Sequence, residues 1–285
     1  MKLEDSCKDC VISQALRVGN LLGLDDLKAK EIVNLARLHV KGFDESLTPP
    51  HNAFKLYEDI AKSLHVKDIY KEIKLSSSKK AKEFLPLCEK FLENSKDRLY
   101  TATKLAVVGN VIDLASQIQY DLKDEIDKVL KTPFAIDDFK KLHENLKTAK
   151  KIVYLADNAG EEIFDKLFIK VIKEEFSDIE IFYFTRGKPI INDLTFKEAL
   201  NSKMDEVATV IDSGVPTPGF ALEFANTKAL KLFHEADVVI AKGMGNYECL
   251  SEYSGFNIFH LLKVKCDVVA NALNAKLGDL VCKKA

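Results

Sequence analysis

The sequence has no long hydrophobic run and no excess of charge of either sign. No stretch approaches the roughly 18 consecutive apolar residues that a membrane-spanning helix needs. The opening stretch, MKLEDSCKDC, is polar and contains no apolar core of a secretion signal. The formal net charge of −2 gives no basic footprint of the kind that nucleic-acid-binding proteins carry. We therefore expect a cytoplasmic protein that binds neither membranes nor nucleic acids.

Closely spaced cysteines are also scarce. Six cysteines are scattered along the chain, and only Cys7 and Cys10 form a CxxC pair. No second CxxC completes a structural zinc set, and no strand precedes Cys7 as in a thioredoxin-type redox motif. These absences favour a structural or helix-face role for the pair over a metal or redox role.

Length and composition indicate a globular protein with an ample core. The chain has 285 residues, of which 47% are hydrophobic and 30% are charged. Apolar residues recur at helical spacing through the first half, which predicts helices over 10–22, 25–41, 52–64, 79–93 and 98–118. A break is expected at Thr48, Pro49 and Pro50, and a helix beginning at Asp68 is expected to stop near serines 76–78.

The pattern changes near residue 134, where strand-length apolar runs begin to alternate with helical segments. Strands are predicted over 151–156, 179–184, 206–211, 238–241 and 256–262, with a short one near Leu280. Such alternation is typical of an α/β fold with a mostly parallel sheet and helices on both faces. We predict an all-helical N-terminal cap over residues 1–133 and an α/β domain over residues 134–285.

The stretch KIVYLADNAGE, residues 151–161, has the pattern of a strand, a tight turn and a helix. Ligands bind in open α/β sheets beyond the carboxyl ends of the strands, where Asp157, Asn158 and Glu161 would lie. Asp157 and Asn158 are also residue types that commonly cap helices, and Glu161 suits the first turn of a helix. From this stretch alone, capping and a functional site are equally good interpretations.

Three later strand ends carry similar clusters, and a parallel sheet would bring all four turns to one edge. They contain Arg186 and Asp193, then Ser213 and Gly214, and finally Lys242, Gly243, Gly245 and Asn246. Asp157, Asn158 and Asp193 offer only oxygen ligands, which suit hard divalent ions such as Mg²⁺ or Mn²⁺. The glycines let backbone N–H groups approach an anion, the helix expected near Asn246 adds its dipole, and Lys242 adds a positive charge.

Each motif by itself is weak. KGMGN is neither a Walker A sequence nor a GxGxxG fingerprint, and Arg186 alone is as consistent with an ordinary salt bridge. The prediction of a combined metal and anion site depends on the four turns meeting.

In their order along the chain, ADNAGE, TRGKPIINDLT, DSGVPTPG and AKGMGNYE resemble the DUF89 proteins, the ARMT1-like damage-control phosphatases. TPPHNAFKLYEDI and KLAVVGNVIDLAS resemble the helical region of that family, and the Cys7 and Cys10 pair resembles its stand-alone archaeal and bacterial branch. The resemblance implies a Rossmann-like sheet, a divalent metal at Asp157, Asn158 and Asp193, and phosphate near Lys242. It also places Gly109 and Asn110 along the family's cleft.

The resulting hypothesis is a metal-dependent enzyme that hydrolyses phosphate monoesters of small metabolites, such as sugar phosphates or phosphopantetheine-like compounds. We expect it to act in metabolite damage control and to use Mg²⁺, Mn²⁺, Co²⁺ or Ni²⁺. Glu161 and Asp193 are the candidate general bases. Arg186, Ser213, Gly214, Gly243, Gly245, Asn246 and Asn110 are the expected substrate-binding residues. Two alternatives stay open: an S-adenosylmethionine-dependent carboxyl methyltransferase and a non-catalytic phosphometabolite-binding protein.

Overall fold

A computed structural model describes residues 1–111 and 122–285, together with all side chains in those ranges except at 110, 111, 122, 123 and 125. The last part of the helix predicted over 98–118 lies outside the described residues. Within the described chain, no helix is both long and apolar enough to cross a membrane.

Helices fill the N-terminal half and then alternate with strands. The helices are α1 (Asp5–Leu21), α2 (Asp26–Lys41), α3 (Pro49–Ser63), α4 (Lys71–Glu93), α5 (Arg98–Val111), α6 (Leu122–Lys131), α7 (Phe139–Leu146), α8 (Glu162–Glu175), α9 (Phe196–Asn201), α10 (Thr227–His234), α11 (Gly243–Leu250) and α12 (Asp267–Leu273). The strands are β1 (Ile136–Asp137), β2 (Lys151–Leu155), β3 (Glu180–Thr185), β4 (Thr209–Asp212), β5 (Val238–Lys242), β6 (Ile258–Lys263) and β7 (Leu280–Lys284).

The strands form one sheet in the order β1-β7-β6-β5-β2-β3-β4. Strands β6 and β7 are antiparallel, and the other neighbouring pairs are parallel, which confirms the predicted α/β fold. Strand β2 has β3 as its neighbour on one side and β5 as its neighbour on the other side. This reversal of strand order opens a crevice at the carboxyl ends of β2 and β5, where α/β proteins bind ligands.

Successive residues of β2 enter cores on opposite faces of the sheet. Ile152 and Tyr154 belong to one buried cluster, and Val153 and Leu155 belong to another. Helices α4, α5 and α6 contribute to the first cluster, so they share a core with the sheet. Helices α1, α2 and α3 form a further cluster that includes Ile190 from the segment after β3.

Two local predictions in the helical half were wrong. The sequence TPP starts α3 instead of breaking the chain: Thr48 occupies the N-cap, and Pro49 and Pro50 occupy the first turn, where missing N–H groups cost nothing. Serines 76–78 do not end a helix, because α4 continues through them. Ser77 is buried and Ser78 Oγ donates to Glu162 Oε1 at 2.8 Å, so these small side chains accommodate the neighbouring α8.

Strand boundaries differ from the predicted ones by at most three residues. The largest shift is at β4, which begins at Thr209 because a short 3₁₀ turn, Met204–Glu206, takes up the first part of the predicted strand. Helix α11 begins at Gly243, earlier than the start expected near Asn246. The change from helices to alternating elements falls between the end of α6 and β1.

Core packing gives a matched test of stability. Leu155 lies in β2 with 0% of its surface exposed, whereas Leu27 in α2 is 80% exposed. Leu155→Ala is expected to lower the free energy of unfolding by about 2 to 5 kcal/mol, because it removes buried apolar surface and leaves a cavity. Leu27→Ala is expected to change it by less than about 0.5 kcal/mol. Urea unfolding of the two variants checks this, and equal losses would contradict the assigned core.

Candidate active site at the carboxyl ends of β2 and β5

The turn after β2 places an amide between two carboxylates. Asn158 Nδ2 donates to Asp157 Oδ2 at 3.0 Å and to Glu161 Oε1 at 2.9 Å. Glu161 itself is the N-cap residue of α8, so neither Asp157 nor Asn158 occupies the capping position. The capping interpretation of this stretch was therefore wrong.

Backbone pairing brings Asp193 to the same turn. Asn158 and Asp193 form an isolated antiparallel bridge, and Leu194 N donates to Asp157 O at 2.8 Å. Ala159 N also donates to Asn192 O at 2.9 Å. The segment after β3 is thus joined to the turn after β2 through its main chain. The backbone of Asp193 is therefore held in place without help from side chains.

Arg186 and Asn246 tie three strand ends together. Arg186 is 1% exposed, and its Nε donates to Asp193 Oδ2 at 2.7 Å while Nη2 donates to Asn246 Oδ1 at 3.2 Å. Asn246 Nδ2 in turn donates to Lys242 O at 2.6 Å and to Ala156 O at 3.0 Å. These two side chains therefore hold the ends of β3, β5 and β2 in one arrangement.

Lys242, at the end of β5, is completely buried among carboxylates. Its Nζ lies 2.7 Å from Asp165 Oδ1 and 3.2 Å from Glu161 Oε2. Asp165 also accepts hydrogen bonds from Tyr154 Oη at 2.6 Å and Tyr183 Oη at 2.8 Å. Asp165 thus accepts three hydrogen bonds, from Tyr154, Tyr183 and Lys242, and holds the lysine close to the turn that carries Asp157.

Burial is the main cause of the raised pKa values of the carboxyl groups in the cluster. Burial raises the pKa of Asp157 well above its usual range, and the nearby charges of Glu161 and Asp193 raise it further. Burial also raises the pKa of Asp193 in spite of Arg186, and that of Asp165 in spite of Lys242. Burial alone would lower the pKa of Lys242, but Asp165 and Glu161 outweigh it and raise that pKa.

Negative charge exceeds positive charge in this buried cluster. We define the cluster as four buried carboxylates and the two buried cations that pair with three of them, namely Asp157, Glu161, Asp165, Asp193, Arg186 and Lys242. With every group ionised, the excess is two negative charges. A buried excess of this kind is unfavourable unless protons or a cation neutralise it.

Glycine is required where α11 meets Asp157. Gly243 has φ +76°, and a Cβ at this position would lie 1.9 Å from Asp157 Oδ2. Gly245 is also closely packed, since a Cβ there would lie 2.9 Å from Pro218 O. At Gly109 in α5 a Cβ would lie 3.0 Å from Glu161 Cα. Gly243 and Gly109 thus let α11 and α5 approach Asp157 and Glu161.

Several predicted site residues lie elsewhere or outside the described side chains. Ser213 is buried, with Oγ donating to Thr185 O at 2.5 Å, and Gly214 N donates to Asp212 Oδ1 at 2.9 Å. These hydrogen bonds support the turn after β4 and do not involve the carboxylates of the cluster. Asn110 lies in α5, and its side chain falls outside the described residues.

Two charged residues at the site were missed from the sequence. Asp165 is 0% exposed in α8, whose buried face is apolar except for Asp165 and Glu162, and an acid among these apolar residues was the available signal. Lys265 follows β6, and its positive charge offsets part of the effect of burial on the pKa of Asp157. No spacing rule links Lys265 to the other residues, so only the folded chain reveals it.

The donors at this site fit a hard divalent cation. Asp157 and Asp193 are 8% and 4% exposed, and the amide oxygen of Asn158 is the remaining oxygen donor of the predicted set. Within residues 1–111 and 122–285, no three His, Cys, Asp or Glu side chains are grouped closely enough to hold a metal ion. An ion at the predicted set would therefore depend on two carboxylates, an amide and oxygen ligands from outside the protein.

Comparisons with known proteins show the family of the chain. The model of the damage-control phosphatase ARMT1-like domain matches residues 3–281. The chain belongs to this family. It is 34% identical over 286 residues to a damage-control phosphatase of Pyrococcus horikoshii, covering 100% of this chain and 98% of that protein.

A second relative and a crystal structure of the Pyrococcus horikoshii protein extend the match. A damage-control phosphatase of Archaeoglobus fulgidus is 30% identical over 289 residues, covering 99% of both chains. The crystal structure of a DUF89 family protein from Pyrococcus horikoshii has a TM-score of 0.91 at 33% identity and covers 100% of this chain and 99% of its own. The names of these relatives support a phosphatase that acts in metabolite damage control.

The contact between Gly243 and Asp157 can be tested against a control glycine. Gly278 also has positive φ, +90°, but a Cβ there would meet nothing within 4 Å. Gly278→Ala is expected to cost about 1 to 2 kcal/mol of unfolding free energy from backbone conformation alone. Gly243→Ala is expected to cost about 1 to 3 kcal/mol more, because the new methyl group displaces Asp157. Denaturant titration measures both, and equal costs would contradict the close approach.

Proposed function

We propose that the protein is a metal-dependent phosphatase that hydrolyses phosphate monoesters of small metabolites. The observation that carries the proposal is the excess of buried negative charge beside the glycine-rich start of α11. A metal-dependent phosphatase needs a cation and a phosphate close together, and this edge of the sheet offers carboxylates for the first and backbone N–H groups for the second. Family membership supports the phosphatase part of this proposal.

Asp157, Asn158 and Asp193 would hold the divalent ion, which when bound would polarise the phosphoryl group and the attacking water. Arg186 keeps Asp193 in place through the 2.7 Å contact, and Asn158 keeps Asp157 and Glu161 apart through its two hydrogen bonds. The site residues thus act mainly by positioning, which suits phosphoryl transfer.

Lys242 serves as the fixed positive charge of the site. Its ammonium group has three N–H donors, and Asp165 and Glu161 accept from two of them. In our proposal the third supports negative charge that develops on the phosphoryl oxygens. Glu161 and Asp193 are the two proposed acceptors for the proton of the attacking water, because both lie close enough to raise the pKa of Asp157.

Phosphate release from a panel of esters tests this proposal. Sugar phosphates, nucleotides and phosphopantetheine are each assayed with Mg²⁺, Mn²⁺, Co²⁺ or Ni²⁺. We expect activity that EDTA abolishes, a loss of at least about 100-fold in Asp157→Ala, and a lower kcat/KM in Lys242→Ala, because each removes stabilisation of the transition state. Asp205→Ala, an exposed acid after α9, is the control and should retain full activity.

Two results would contradict the proposal. Hydrolysis that survives both EDTA and Asp157→Ala would exclude the metal mechanism. Saturable binding of an ester with no phosphate release under any metal would instead favour a non-catalytic phosphometabolite-binding protein.

A further inference from the structure

Lys74 is a buried cation that lies outside the cluster of four carboxylates and two cations. It belongs to α4, and its side chain is 1% exposed. Its Nζ lies 2.7 Å from Asp68 Oδ2, in the connection from α3 to α4, and 2.7 Å from Glu198 Oε1, in α9. Burial of an ammonium group is unfavourable unless carboxylates pair with it, so these ion pairs hold α4 close to α9.

Glu198 also holds the start of α9. Its Oε2 accepts from Thr195 N and from Thr195 Oγ1, both at 2.8 Å. Thr195 is the N-cap residue of α9, and Glu198 is the third residue of that helix, as in a capping box. The two oxygens of one carboxylate thus join Lys74 to the residue that begins α9.

Thr195 lies two residues after Asp193, in a segment that main-chain contacts hold in place. Thr195 forms an isolated parallel bridge with Arg186, and Arg186 N donates to Leu194 O at 3.0 Å. Leu194 N in turn donates to Asp157 O at 2.8 Å. A shift of Thr195 would therefore be passed to Asp193 along a short and constrained stretch of chain.

The charge of Lys74 also reaches Asp193. Burial raises the pKa of Asp193, and the positive charges of Arg186 and Lys74 both oppose that effect. Charges act in this way only over short distances, so Lys74 of the helical half lies near a residue that we propose as a metal ligand.

We infer that Lys74 is a positioning residue for the proposed metal site. It holds Glu198, and through Glu198 and Thr195 it fixes the segment that presents Asp193 to the ion. The inference rests on the proposed function, which assigns Asp193 to the ion. In this role Lys74 contacts neither the ion nor the ester.

The sign of a change in metal affinity separates positioning from a simple effect of charge. A positive charge near the site repels a cation, so loss of the charge of Lys74 alone would tighten metal binding. Loss of the support that Lys74 gives to Asp193 would instead weaken metal binding. Lys74→Met removes the charge and keeps most of the length of the side chain.

Calorimetric titration of the full chain with Mn²⁺ tests the inference. The Kd of Lys74→Met should rise at least about tenfold, as is typical when a residue that orients a metal ligand is lost. The EPR spectrum of the Mn²⁺ bound at saturation should change as well, because Asp193 is displaced. Lys8→Met is the matched control and should leave the Kd and the spectrum unchanged. Lys8 also lies between two carboxylates, 2.8 Å from Asp5 and 2.7 Å from Glu45.

A second variant tests whether Lys74 acts through Glu198. Glu198→Gln should also raise the Kd, and the double variant should raise it no further than Lys74→Met does, because the two residues form one link. Glu198 is 20% exposed, so Glu198→Gln decides the question by itself if Lys74→Met does not fold. Effects that multiply in the double variant, or a Kd that either single variant leaves unchanged or lowers, would overturn the inference.

Hydrogen exchange supplies a readout that needs no metal. Residues 190–198 should exchange at least about tenfold faster in Lys74→Met while exchange in β7 stays unchanged, because loss of the link loosens that segment alone. Equal increases in both regions would indicate a general loss of stability and would overturn the inference. If the wild-type protein binds no Mn²⁺, the proposed metal-dependent function fails, and hydrogen exchange alone decides whether Lys74 holds this segment.

Discussion

The site depends on a concentration of buried negative charge at the edge of the sheet. Carboxylates from the turn after β2, from α8 and from the segment after β3 meet there, and Arg186 and Lys242 balance only part of their charge. Interactions between charges strengthen as water is excluded, so this arrangement is stable only with protons on some carboxyl groups or a cation beside them. The metal site that we propose is one way to meet that requirement.

The fold supplies the surroundings that keep the charges together. The reversal of strand order puts β2 between β3 and β5, and main-chain hydrogen bonds then join the turns that leave β2 and β3. The helical half covers this edge at separate points: Gly109 of α5 packs on Glu161, His51 of α3 contacts Glu223, and Glu58 of α3 pairs with Lys188. Access to the crevice is therefore set by α5, which shares the core of the sheet, and by α3, whose core is largely separate from it.

Much of this arrangement was predictable from the sequence. The alternation of strands and helices after residue 134 determined the fold class, and parallel strands bring their carboxyl ends to one edge whatever the details of packing. For that reason Asp157, Asn158, Asp193 and Lys242 could be predicted to lie at the same edge of the sheet. The division into a cap at 1–133 and a second domain at 134–285 stays a prediction, since α4, α5 and α6 share the core of the sheet.

Other features depend on contacts that periodicity does not encode. The role of Asp165 requires the hydroxyl groups of Tyr154 and Tyr183 on adjacent strands, and those residues look like ordinary core positions in the sequence. Serines 76–78 appeared to end a helix because their propensity is low, but burial against α8 outweighs that preference. The role of Arg186 as a clamp on Asp193 likewise became visible only in three dimensions.

The most direct test of the proposed metal site is calorimetric titration of the protein with Mn²⁺ in buffers that differ in their heat of ionisation. We expect one ion per chain, with protons released on binding, because ligation requires deprotonated carboxylates and burial raises the pKa values of Asp157 and Asp193. Proton release should diminish as the pH rises, and Asp157→Asn should abolish or greatly weaken binding. Failure to bind Mn²⁺, or equal binding by Asp157→Asn, would contradict this account.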